Sequence, residues 1–182
     1  DPNVEKKDKL FSMILFNSSL ILIGLSIVMF YIFFDKIFKK LKDDPKAVYF
    51  SKIAKPIGII TGLMYCGVGL VPHDLDLWLH VFFARGAFSI LLLLSIIHAI
   101  AVYRSRFLSN IYAIGYLGLC IVLTGYLYVI FFANSVAPHI NYSDMDLMVQ
   151  VVSQKIIVLT YILSILTQVF GINSLLKTQK EL

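Results

Sequence analysis

Three of the four histidines of this sequence, and four of its aspartates, fall in two short segments between hydrophobic runs. His73 and His80 accompany Asp74 and Asp76 in the first, and His139 accompanies Asp144 and Asp146 in the second. Imidazole and carboxylate are ligands that zinc and other divalent cations accept. If the two segments meet, a metal site on His73, His80 and His139 is the chemistry they could do, and metal-dependent hydrolysis is one function. Their spacing matches no compact signature such as HExxH. The same residues serve equally as a helix cap, polar loop positions and one satisfied histidine. No cofactor is therefore predicted, and a divalent metal stays an alternative.

Arg85 is a second candidate, because it lies below Trp78 inside an apolar run. A charge at the bilayer centre costs about 2.5–3.5 kcal/mol on insertion scales. Arg85 can snorkel outward, or it can face the bundle interior and pair with a ligand anion, Asp74, Asp144 or Asp146. His98 shares a helical face with His80, 18 residues earlier. At 1.5 Å per residue the two are roughly 27 Å apart, too far to share a haem. Thr160, Ser164, Thr167 and Gly171 form a polar and small face edged by Gln168. Hydrogen bonding to neighbouring helices is its usual meaning, and a polar substrate path is the alternative. No Walker loop, nucleophile elbow or GxGxxG is present, and no catalytic residue can be named.

The elements that position these groups are read from the charges. The chain has 182 residues, 59% hydrophobic and 15% charged, with mean hydropathy +0.84, whereas a soluble domain carries about 25% charged residues. Five stretches lack Asp, Glu, Lys and Arg: Leu10–Phe34, Pro56–Leu70, Gly86–Val102, Phe107–Ala133 and Ile156–Leu176. A hydrocarbon core about 30 Å thick takes roughly 20 apolar residues to cross, and in lipid such segments must satisfy their own backbone as helices. The reading is an all-α, polytopic transmembrane bundle in a single domain, with spans near 10–34, 53–71, 77–102, 107–133 and 150–176.

Charge placement predicts orientation. The loop Lys36–Lys55 holds seven of the sixteen basic residues, and Arg104, Arg106, Lys177 and Lys180 share its side. The loops Val71–Trp78 and Asn134–Gln150 contain no Lys or Arg. That bias predicts a cell-membrane protein with its C-terminus inside and N-terminus outside. Residue 1 then reaches the outside through an upstream segment or by N-tail translocation on the first span alone. The net charge of +5 is accordingly no nucleic-acid footprint. The partners expected are the bilayer, anionic lipids at Lys36–Lys55, and other membrane subunits. Cys66 and Cys120 sit mid-span and read as small buried hydrophobes.

Local signals set the helix ends. Asp43-Asp44-Pro45 reads as a turn, with Pro45 blocking a helix and Pro56 opening the second span. Asp74 fits an N-cap for the third helix, with Asp76 in its first turn, and Ser143 with Asp146 resembles a capping box. Gly58, Gly62 and Gly69 line one side of the second span, and Gly115, Gly118 and Gly125 punctuate the fourth. Small residues at such spacing let helices approach closely.

Phe16-Asn17, the Gly24 helix, the Gly67–Pro72 turn with Asp74, and the run Leu79–Ala84 together carry a family likeness. The chain resembles the membrane family filed as domain of unknown function 998, similar in turn to the Frag/DRAM/Sfk multi-span proteins. That resemblance implies six spans, the first lacking here, and positions matching Pro72, Asp74 and His80 at an outer turn, with no activity assigned. The functional expectation is a multi-pass membrane component without demonstrable catalysis that binds lipid or a partner. Its alternatives are an accessory subunit of a larger membrane complex and an intramembrane metal-dependent hydrolase.

Overall fold

A computed structural model describes residues 2–72, 74–132 and 144–180. They form five helices in chain order: α1 (Pro2–Lys40), α2 (Pro45–Leu70), α3 (Leu77–Arg104), α4 (Ile111–Phe132) and α5 (Asp144–Lys180), with no strand among the described residues. Each is long and apolar enough to cross a membrane, so the protein is an all-α, multi-pass transmembrane bundle. The shortest, α4, has 22 residues and reaches about 33 Å, still sufficient for the hydrocarbon core.

The helices end where backbone chemistry requires it. α1 runs six residues past Phe34 and stops in a Schellman turn. There Asp43 N–H donates to Phe38 carbonyl and Lys42 N–H to Lys39 carbonyl, with Lys42 left-handed at φ 50°. The break between α1 and α2 falls at 41–44, where the turn reading of Asp43-Asp44-Pro45 put it, but the second helix opens at Pro45 itself rather than at Pro56. Asp44 precedes it as N-cap, accepting from Lys46 N–H at 2.9 Å, because a proline there gives up an N–H that had no intrahelical partner. Pro56 consequently lies inside α2. The cap of α3 is Asp76, not Asp74: its carboxylate accepts from Leu79 N–H at 3.0 Å. Pro72 carbonyl accepts from Leu75 N–H, and that turn delays the helix. α4 begins at Ile111 rather than Phe107 because Ser105 Oγ accepts from the N–H groups of Phe107 and Leu108. The expected capping box at Ser143 lies outside the described residues.

Extensive packing joins consecutive helices, so the chain forms an arc with α1 and α5 at its ends. Glycines bring α1 and α2 together: Gly24 and Gly62 meet backbone to backbone, Gly58 receives the Tyr31 ring, and Gly69 faces the Asn17 carbonyl. Cys66 Sγ lies 3.6 Å from the Ile21 carbonyl in the same seam. Gly67 takes Phe83 of α3, and Gly115 and Gly171 lie against Ser164 and Tyr112 between α4 and α5. Gly118 and Gly125 have nothing within 4 Å. They face outward.

Candidate functional site: a lateral slot between the first and last helices

The two ends of the bundle differ in charge and in closure. At the basic end, which carries Lys36–Lys55, Arg104 and Arg106, the connections are locked together. Asp43 is buried and accepts from Ser105 Oγ, from Arg106 N–H at 2.8 Å and from Asp44 N–H at 2.6 Å. Arg106 also reaches Asp44 at 3.3 Å. The Asp44 carboxyl is held below the ordinary carboxylate range, chiefly by the Lys46 N–H and secondarily by Arg106. Asp35, buried in α1, bonds Lys39 at 2.7 Å and lies 3.9 Å from Lys55.

Above this latch the interior is filled by rings. His98 is fully buried and stacked between Tyr116 and Phe34, at centroid distances of 3.8 and 4.3 Å. Its Nδ1 is hydrogen-bonded with the Tyr31 hydroxyl at 3.2 Å. The buried Gln168 amide of α5 lies beside the imidazole. Neither it nor His98 Nε2 completes a hydrogen bond among the described residues. Ser164 Oγ lies 3.0 Å from the Gly115 carbonyl and 2.8 Å from that of Thr160, and Thr167 Oγ1 donates to the Ser164 carbonyl. The polar face of α5 thus reaches α4 through Ser164.

Towards the other end, which carries Asp74 and Asp76, the seam between α1 and α5 opens. A cavity of about 590 Å³ lies between them, floored by α2 and α3; Leu20, Val68, Ala84, Phe88 and Leu159 supply apolar wall. It adjoins a second cavity of about 270 Å³ between α1 and α5, and the two share Ile23, Tyr65, Val158 and Ile162. Together they make one slot, from Phe16 to Ile27 on α1 and from Val151 to Leu166 on α5. The larger part is lined by the polar residues Ser19, His80, Gln154 and Lys155, and the smaller by Ser26 and Tyr161, with Tyr65 shared. Gln154 donates to the Tyr126 hydroxyl at 2.9 Å, and His80 Nδ1–H donates to the Val71 carbonyl at 2.7 Å, tying the α2–α3 turn to the rim. Volumes of this order are those of small-molecule sites.

The candidates from the sequence are placed as follows. His80 lines the slot; His73 and His139 lie outside the described residues, as do the side chains of Asp144 and Asp146. Among the described residues, no three His, Cys, Asp or Glu side chains come together as a metal-binding group. Asp74 is exposed in the turn before α3. Arg85, half-buried, has its guanidinium 5.5 Å from the Phe131 ring of α4, a cation–π contact. It does not line the slot, and among the described residues no carboxylate pairs with it. Sequence reasoning passed over Lys155, whose signal was a single lysine in a run otherwise uncharged from Leu147 to Leu176. It also passed over the Asp43–Ser105 latch, whose partners are 62 residues apart.

Comparison with known proteins adds no relative: no family model, curated protein or solved structure matches the chain.

Proposed function

We propose that the protein is a non-catalytic component of the cell membrane that holds a bilayer lipid in the slot between α1 and α5. In this reading the basic end faces the cytoplasm and the slot opens into the outer leaflet. The observation that carries it is the slot itself: apolar, open at the side, and lined by two helices already immersed in hydrocarbon. A path for a water-soluble substrate would need a strongly polar lining along its length, and here the lysine, the amide and the imidazole all lie in the larger cavity, near one end, while the smaller offers only Ser26 and tyrosine hydroxyls. The slot spans eleven residue steps of α1, about 16 Å, close to the depth of one leaflet at half of about 30 Å. A lipid carrying a photoactivatable group along its acyl chain is expected to label α1 and α5 at the slot in preference to the outward face of α4. Equal labelling of all lipid-facing surfaces would reject the reading.

A second reading, accessory subunit of a larger membrane complex, has its own support in Gly118 and Gly125. Both are open, and Ile114, Ile121 and Tyr128 expose large apolar surface beside them on α4. Gly118→Leu is expected to leave the isolated protein folded and to release any membrane subunit purified with it. Unchanged co-purification would remove this support.

A further inference from the structure

We infer that the occupant of the slot is a phospholipid whose phosphate group is held by Lys155. The inference rests on the lipid-binding reading and adds the chemistry of the headgroup. Among the described residues lining both cavities, Lys155 alone carries a fixed formal charge. Its side chain is exposed, and it stands four residues along α5 from Val151, about 6 Å below the start of the slot. A lysine at that depth extends its stem along apolar surface and brings its ammonium group up to the interface. That is the level at which lipid phosphates lie. Below it the lining is mostly aliphatic, from Val158 and Ile162 to Ile165 and Leu166, with Ser26, Tyr65 and Tyr161 among it, and no further charge interrupts it. One cation at headgroup level above a channel one leaflet deep is complementary to an anionic group on an acyl chain. Gln154, whose amide nitrogen carries a second N–H besides the one given to Tyr126, lies beside Lys155 and supplies a donor of the kind an oxygen-rich phosphodiester accepts.

The test compares lipids retained by the protein on release from nanodiscs, read by native mass spectrometry. The nanodiscs contain equal amounts of phosphatidylglycerol and an uncharged diacyl galactolipid, and a parallel set contains palmitate in place of phosphatidylglycerol. Wild-type protein is expected to retain phosphatidylglycerol over the galactolipid by roughly fivefold, the preference one lysine gives an anionic headgroup. Lys155→Gln should abolish that preference, and Lys155→Arg should keep it. Ile162→Trp, which fills the slot, should release every lipid, while Leu163→Trp, on a neighbouring exposed position outside the lining, should not. Lipid retained without headgroup preference, or unaffected by Lys155→Gln, overturns the phosphate inference and leaves lipid binding standing. Preferential retention of palmitate does the same. No retained lipid, or retention indifferent to Ile162→Trp, overturns both.

Discussion

Placing a methyl group at Gly62 tests the tightest contact in the bundle. A Cβ built there would meet the Gly24 carbonyl oxygen and come within 2.6 Å of Val28 Cγ2. At Gly24, the reciprocal Cβ would lie 2.5 Å from the Gly62 carbonyl and 2.6 Å from Cys66 Sγ. Carbon–oxygen contacts between helices run at about 3.3–3.6 Å, so α1 and α2 would have to separate by close to 1 Å. A gap of that size forfeits a quarter to a half of the dispersion energy of each atom pair along the seam. Overpacking of this kind costs about 1–3 kcal/mol, offset by the roughly 0.5–1 kcal/mol that alanine gains over glycine inside a helix. The expected net loss for Gly62→Ala is about 1–2 kcal/mol. Gly118→Ala is the internal control. It enters open space, forfeits nothing, and should be neutral or stabilising by up to about 1 kcal/mol. The double variant Gly24→Ala/Gly62→Ala should cost less than the two singles added, because a single separation of the helices relieves both clashes. Unfolding by SDS in mixed micelles, followed through Trp78, the only tryptophan, measures all four proteins. Equal stabilities of Gly62→Ala and Gly118→Ala, or strict additivity of the double variant, would refute the close approach of α1 and α2.

Four further outcomes follow from the same geometry. Asp43→Ala removes an acceptor for three hydrogen bonds and should cost about 3 kcal/mol in the same titration, since bonds to a charged group contribute about 1.5–3 kcal/mol each before water replaces part of them; Asp43→Asn should recover much of it. Asp44 has a depressed carboxyl, so its contribution is complete above the unfolded value near 4 and disappears as pH falls through the folded one. Thermal stability should therefore fall on acidification below about pH 4, and Asp44→Asn should flatten that fall while sparing the cap at neutral pH. Lys42→Gly should stabilise by about 1 kcal/mol, because it relieves a left-handed side-chain clash and leaves both Schellman bonds in place. His98→Ala should cost about 3–5 kcal/mol by emptying the space between Phe34 and Tyr116, whereas His98→Phe should lose only the Tyr31 hydrogen bond, about 1–3 kcal/mol.

Much of the architecture was legible because the bilayer imposes it. Runs such as Leu10–Phe34 have no other stable state than a helix in lipid, and the described residues form five such helices. The helix ends were less legible, since Pro45 is compatible with stopping a helix and with starting one, and only the Asp44 side chain bonded to Lys46 decides. Glycine spacing marked six positions without separating those in contact from those in the open. Gly62 and Gly118 look alike in sequence, and only the neighbouring helix, distant in the chain, distinguishes them. The site was least legible. A slot lined mainly by aliphatic and aromatic side chains carries no motif, and Lys155 reads as one isolated charge until α1, α3 and α5 are seen around it.

The contrast between the filled interior near the basic end and the open slot between α1 and α5 has a physical origin that bears on the proposed function. In hydrocarbon no hydrophobic force draws two apolar surfaces together, because lipid tails are as apolar as leucine. Helices close on each other only where shape or polarity gives the protein contact an advantage over the lipid contact. At the basic end that advantage exists: stacked rings around His98, the Tyr31 hydroxyl and the Gln168 amide have no equivalent partner in an acyl chain. In the other half α1 presents Leu20 and Ile23, and α5 presents Val158 and Ile162, which lipid solvates as well as protein does. The seam can stand open there at little cost, and an acyl chain entering it exchanges one hydrocarbon surface for another. Affinity above that of ordinary lipid solvation must then come from the headgroup. If the slot holds a lipid as proposed, selective binding then depends on Lys155 rather than on the larger apolar wall.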